Sequence, residues 1–144
     1  MSNPGPAVTT SIHPQVLGSN QALRLIATAQ AVNLNSLGDT PVNVIDVTNY
    51  VPVSVITANA NNAGANVATG STYLGVYTGL GATGTAIYTK AALATNTTTA
   101  NASVVAATLT ASVSSAQTLY VNVSSAAVAG TIDVYVYGYD LSAQ

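Results

Sequence analysis

Residues 131–141 read TIDVYVYGYDL, with Tyr135, Tyr137 and Tyr139 at every second position and Ile132, Val134 and Val136 in the gaps. An extended strand sends alternate side chains to opposite faces, so this segment carries one aliphatic row and one phenolic row. Aliphatic side chains bury without a polar atom to satisfy, which assigns Ile132, Val134 and Val136 to a core and the phenols outward or to a sheet edge. The segment is read as the last strand of a β domain.

The rest of the chain has the same character. LRLIATAQAVNL, from Leu23, alternates Leu23, Leu25, Ala27, Ala29 and Ala31 against Arg24, Ile26, Thr28 and Gln30. LGDTP at 37–41 supplies turn residues, and VNVIDV at 42–47 resumes the strand pattern. Pro52 cannot donate to a ladder, so YVPVSVITA is expected at a sheet edge or as a strand starting at Val53. Residues 58–71 read as an Asn- and Gly-rich loop.

Next comes a hairpin with arms Tyr73 to Tyr77 and Ala86 to Thr89, its loop given positive φ by Gly79, Gly81 and Gly84. The Ala-rich stretch 91–118 is scored as helix by alanine propensity alone, but its clustered Thr, Val, Asn and Ser argue against one. A loop and then a strand near Val104 to Thr110 are expected there. QTLYVNV places Leu119, Val121 and Val123 on one face, and SSAAVAG leads into the final strand. Several short strands separated by turn signals predict an all-β chain: a single antiparallel β-sandwich, of jelly-roll or immunoglobulin-like type, or a barrel-like domain. The sandwich is assigned to residues 21–144. Residues 1–20, with Pro4, Pro6 and Pro14 among small polar residues, read as an extended N-terminal arm.

Composition restricts function more than it suggests one. The 144 residues hold 2 Lys and Arg and 4 Asp and Glu, so charged residues are 4% of the chain, against about 25% in ordinary domains. High β-branched content with so little charge excludes disorder by charge repulsion. Nucleic-acid binding is set aside, because two cations, Arg24 and Lys90, cannot displace a phosphate counterion atmosphere. No apolar run of membrane-spanning length and no secretory leader pattern occurs, so no membrane partner is expected. There is no cysteine. The sequons at Asn96, Asn101 and Asn122 are taken as a by-product of Asn, Ser and Thr abundance. A net charge of −2 gives little repulsion between copies, which favours life in an assembly.

Catalytic chemistry is poorly supplied. The one histidine, His13, sits between Ile12 and Pro14 in the arm, where a Ser-His-Asp geometry could not be held. One His and no Cys exclude ordinary zinc sites, and Asp39, Asp46, Asp133 and Asp140 form no calcium loop, so they are read as exposed turn residues. GLGATG at 79–84 has the GxGxxG spacing, but the strand-like TAIYTK that follows makes it a hairpin loop. No catalytic residue, metal ligand or cofactor is assigned, and the chain is read as a non-enzyme. The tyrosines remain: Tyr73 and Tyr77 flank Gly75 opposite Leu74 and Val76, as Tyr135, Tyr137 and Tyr139 stand opposite their aliphatic row. With no Phe or Trp, these rings either line the core or form a contact surface, and the contact surface is preferred.

The proline-containing arm, the nearly uncharged β domain and the series YLGVYTGLGATGTAIYT, QTLYVNV and GTIDVYVYGYDL resemble the small head decoration, or cement, proteins of tailed bacteriophages. The resemblance implies a non-enzymatic virion protein, made in the host cytoplasm, that stabilises an icosahedral capsid from its outer surface. Its implied partners are the major capsid protein and further copies of itself, a trimer being favoured. The interface candidates are then Pro4, Pro6, His13 and Pro14 of the arm with Tyr73, Tyr77, Tyr135, Tyr137 and Tyr139 of the domain. The alternative is a glycan-binding or adhesive β module of a phage fibre or cell-surface layer, with the same tyrosines stacking on sugar rings.

Overall fold

The computed structural model describes residues 23–58, 72–93, 113–125 and 130–142, and residues 102–105 as strand backbone. Among the described residues eight strands follow in chain order: β1 (Leu23–Asn33), β2 (Gly38–Asn43), β3 (Tyr50–Ala58), β4 (Tyr73–Gly79), β5 (Thr83–Ala92), β6 (Ala102–Val105), β7 (Thr118–Ser125) and β8 (Thr131–Asp140). Two four-stranded sheets result, ordered β1-β8-β3-β6 and β2-β7-β4-β5, with every neighbouring pair antiparallel.

The pairing is nested. β1 pairs with β8, β2 with β7, β3 with β6 and β4 with β5, as if one long hairpin were closed about the β4–β5 turn. Rolling that hairpin up adds the β3–β8 and β4–β7 pairings and sends successive strand pairs to alternate sheets. The result is a jelly roll, the first of the sandwich types expected from the sequence. β8 closes it, lying in the interior of its sheet between β1 and β3.

The core lies between the sheets. β8 contributes Ile132, Val134 and Val136, β7 Leu119, Val121 and Val123, and β4 Leu74 and Val76, all buried. Each set is an every-second-residue row, as period-two burial requires. The aliphatic row of TIDVYVYGYDL therefore faces inward. Tyr50 and Tyr88 are the two rings in the core cluster. The Tyr50 hydroxyl donates to the Ala116 carbonyl at 2.9 Å and accepts from the Ser114 hydroxyl at 3.3 Å, so the phenol is buried with its polar end satisfied.

Four local expectations are corrected. The second strand is Gly38–Asn43, earlier than the segment 42–47, because β2 is an edge strand where Pro41 needs no donor on its open side. β3 begins at Tyr50 and runs through Pro52 in the interior of its sheet, but β6 pairs only with Val55–Ala58, so at Pro52 that side carries no described partner. Positive φ in the β4–β5 turn belongs to Gly81, Ala82 and Gly84, not to Gly79. The sixth strand is Ala102–Val105, overlapping the expected Val104 to Thr110 only at its start; residues 106–112 lie outside the described residues.

β1 departs most from regular alternation. Its register against β8 shifts between Leu25 and Ala27 and again between Ala29 and Val32. The first shift buries the consecutive residues Ile26 and Ala27, and the second carries Ala31 into positive φ, at 53°. Extra residues of this kind are β-bulges, which bend an edge strand and spoil it as a template for further pairing.

Candidate interaction surface

Because Ile132, Val134 and Val136 point into the core, the other row of β8 lies on the outer face of its sheet. In register, Tyr139 sits between Leu23 of β1 and Val51 of β3, Tyr137 between Leu25 and Ser54, and Tyr135 between Thr28 and Ile56. Directly paired residues share a face. The outer face of β1, β8 and β3 is thus a central tyrosine row flanked by the aliphatic Leu23, Leu25, Val51 and Ile56 and the small polar Thr28 and Ser54. Leu23 is 52% and Tyr139 39% exposed, while Leu25, Val51, Ile56, Tyr135 and Tyr137 are half-buried.

One charge belongs to the same row, and it is hidden. Asp133 is 3% exposed; its Oδ1 accepts the Ala31 backbone N–H at 2.8 Å, and its Oδ2 lies 3.5 Å from the Tyr135 hydroxyl, which donates to it. Asp133 therefore holds the β1 bulge and closes one end of the tyrosine row, in place of the exposed turn position expected of it. Burial, with the neighbouring Asp133 carboxylate, pushes the Tyr135 phenol above its ordinary range. Tyr135 is consequently a neutral hydrogen-bond donor at physiological pH and no base or nucleophile.

The opposite end is fixed by the ion pair between the Arg24 guanidinium and the Asp140 carboxylate. Hydrogen bonds from Ser142, with the Arg24 charge, hold the Asp140 carboxyl below the ordinary range. Asp39 is likewise engaged: Oδ1 accepts from the Asn122 side-chain amide at 2.7 Å and Oδ2 from the Gly81 N–H at 2.6 Å. Asn122 is buried in making that bond, which removes its sequon from the accessible surface. Of the four aspartates only Asp46 is exposed at a chain bend, with φ of 49°.

The five tyrosines expected to act together are divided between the two sheets. Tyr73 and Tyr77 belong to the outer face of β4, on the opposite side of the sandwich from Tyr135, Tyr137 and Tyr139. Tyr73 is 43% exposed, whereas Tyr77 is 7% exposed and lies over Gly75, its hydroxyl accepting the Lys90 N–H at 3.2 Å. A Cβ on Gly75 would come within 2.6 Å of the Tyr77 ring, so the glycine is the seat of that ring. Tyr77 is therefore a covering for its own sheet. The arm candidates Pro4, Pro6, His13 and Pro14 lie outside the described residues.

The aliphatic members of the surface, Leu23, Leu25, Val51 and Ile56, were not singled out from the sequence. Each belongs to a strand whose register against β8 decides whether it joins the tyrosine row, and the bulges in β1 and near Val53 hide that register from a simple alternation count.

A polar depression of about 270 Å³ lies beside the β1–β2 turn, lined by Asn33, Ser36, Leu37, Asp39 and Thr40 among others. Its one carboxylate has both oxygens engaged as described. Among the described residues no three His, Asp or Glu side chains converge on a possible metal position.

Comparison of the chain with protein-family models, curated proteins and solved structures found no match. Function must be argued from the surface itself.

Proposed function

We propose that this chain is a non-enzymatic structural protein that binds the outer surface of a tailed-phage icosahedral capsid and stabilises it, in contact with the major capsid protein and with copies of itself. The observation that carries the reading is the outer face of β1, β8 and β3, where a phenolic row is flanked by Leu23, Leu25, Val51 and Ile56, its Asp133 is buried, and the Arg24 charge at its end is paired with Asp140. Tyrosine surfaces of this kind are favoured at protein contacts, because the ring buries apolar area while the hydroxyl keeps a hydrogen bond.

The inventory of charged groups supports a structural role. Three of the four carboxylates are occupied in holding strands and turns together. A lattice-bound protein with so few charges would adhere through apolar area and hydrogen bonds, and hence with little dependence on salt.

The test is recovery of the polypeptide from purified virions, in a copy number near that of the capsid subunit. Purified protein is expected to bind undecorated heads as well at high salt as at low salt, and a chain lacking residues 1–20 to bind more weakly. Absence from virions, or binding abolished by moderate salt, would sink the proposal. The glycan-binding alternative is weakened by the placement of Tyr73 and Tyr77 on the other sheet from the β8 row. Saturable binding on a glycan array, lost on Tyr137→Ala, would favour it instead.

A further inference from the structure

β4 leaves its sheet before it ends. Its pairing with β7 runs from Tyr73↔Ser125 to Tyr77↔Tyr120 and stops there, although β7 extends past that level as Leu119 and Thr118 beside β2. β4 itself goes on to Gly79 with β5 as its remaining partner. From Leu74↔Ala91 to Val76↔Tyr88, then to Tyr77↔Ala86 and Gly79↔Thr83, β5 uses one residue more than β4 at each step. Extra residues on one strand bend a hairpin and sharpen its twist.

The bend brings the tip of the hairpin back over the sheet. Asp39 lies two strands from β4, level with Asn122 and Gly75, yet its Oδ2 accepts the Gly81 N–H at 2.6 Å. Gly81 is six residues past Gly75, so a straight hairpin would carry it about 20 Å beyond that level. The tip, residues 78–85, therefore crosses the outer face of β7 to reach β2. Asn122, whose row faces outward between the buried Val121 and Val123, is 8% exposed beneath it.

The tip is braced within itself and weakly held from outside. The Thr85 N–H donates to Thr78 Oγ1 at 2.8 Å and the Thr83 hydroxyl to the Leu80 carbonyl at 2.7 Å. Ala82 is kept at φ of 60°, a conformation that a residue with a Cβ adopts when its surroundings impose it. Little apolar packing presses the tip down: Leu80 is 62% exposed, and Gly81, Thr83, Gly84 and Thr85 are exposed as well. Among the described residues one hydrogen bond ties the tip to the body beyond its own hairpin, that of Gly81 to Asp39. The carboxylate is aimed by Asn122, whose side-chain amide donates to Oδ1 at 2.7 Å. A braced tip, a bend at its base and one latch are the parts of a hinge.

We infer that residues 78–85 form a flap, latched over the outer face of β7 by Asp39, which swings out as a unit about the end of the β4–β7 pairing when that bond opens. Swinging uncovers Tyr120 and Asn122 and carries Leu80 away from the body. The inference concerns the free protein and does not depend on the capsid reading, which rests on the opposite sheet. Binding to heads tests one and the free chain tests the other.

The chain has no native cysteine, so a nitroxide on Leu80→Cys reports where the tip lies through the broadening of backbone amide signals in the full-length protein. With Asp39 in place, the label should broaden Thr40 and Asn122. In Asp39→Asn one acceptor oxygen faces two donors, the latch opens, and that broadening should be lost. In the unlabelled variant the Gly81 amide should exchange at least about tenfold faster than in the wild type, the effect of losing a hydrogen bond to a charged group. The Thr85 amide should keep its protection, because its brace to Thr78 moves with the tip. Asp46→Asn, which removes an exposed aspartate elsewhere, should leave all three readings as in the wild type. Broadening of Thr40 and Asn122 that persists in Asp39→Asn, or is absent with Asp39 in place, would overturn the inference. So would loss of Thr85 protection together with that of Gly81, because the tip would then unravel instead of swinging. Relaxation dispersion on the wild type needs no substitution: amides of residues 78–85 should share one exchange rate, and unrelated rates would also overturn the inference.

Discussion

Asp133 shows how a polar residue can be obligatory in a row that reads as a surface. It occupies the same alternate positions as Tyr135, Tyr137 and Tyr139, yet it is buried because the β1 bulge at Ala31 folds over it and donates an N–H. Replacing it by Ala removes the acceptor and leaves that N–H without its partner in the protein. Asp133→Ala is expected to lower stability by about 2 kcal/mol in urea unfolding, and Asp133→Asn, which retains an acceptor oxygen, by less than half as much. Equal effects of the two would show that the bond to Ala31 is not what Asp133 contributes. Thr28 is the converse case: its hydroxyl is buried beside Tyr135 with no partner. Thr28→Val keeps the shape and removes the unpaired oxygen, so it should be neutral or stabilising by up to about 1 kcal/mol in the same measurement. A loss of stability would mean that this hydroxyl is bonded.

At the level of elements, β4 and β8 look alike in sequence and differ in use. Both alternate tyrosines with aliphatic residues, and in both the aliphatic row is buried. The distinction lies in what stands between the tyrosines. Gly75 separates Tyr73 from Tyr77 and leaves a hollow into which the Tyr77 ring folds, whereas Tyr135, Tyr137 and Tyr139 follow one another along their face with no glycine in the row. Gly75→Ala should drive the Tyr77 ring out, break its bond to Lys90 and cost about 1–3 kcal/mol, as overpacking does. Chemical shifts of Tyr77 and Lys90 would report the change; unaltered shifts would contradict the packing described. The sequence displayed the glycine and both tyrosines, but seating a ring on a glycine depends on the side-chain rotamer, which alternation does not encode.

Over the whole molecule, the scarcity of ionisable groups sets the response to pH. Burial raises Tyr50, Tyr88 and Tyr135 above the ordinary phenol range. An acid whose pKa is higher folded than unfolded leaves stability whole below the unfolded value, near 10, and removes it as pH rises through the folded value. Asp140, held low, contributes stability above the unfolded carboxyl value near 3.9 that is lost as pH falls through its folded value. Stability should therefore be nearly flat from about pH 5 to 9 and collapse in alkali, with tyrosinate absorbance from the buried rings appearing together with loss of the β-sheet circular dichroism signal. Tyrosines that all titrate before unfolding would contradict their burial.

The amino-acid order by itself determined the all-β class, the inward row of the last strand, the hairpin around Gly81 and the poverty of catalytic groups, because each depends on alternation, on turn chemistry or on composition. Only the tertiary structure decided that the sandwich is a jelly roll, that β2 begins at Gly38 and passes through Pro41, and that β3 carries Pro52 inside its sheet. Those outcomes rest on which strand lies beside which: Pro41 is on the open side of edge strand β2, and at Pro52 one side of the backbone carries no partner among the described residues. It likewise separated Tyr73 and Tyr77 from the β8 tyrosines and assembled Leu23, Leu25, Val51 and Ile56 around the latter. Pairing between residues more than a hundred positions apart, as between Leu23 and Tyr139, is selected by the packing of the whole core and leaves no local mark on either segment.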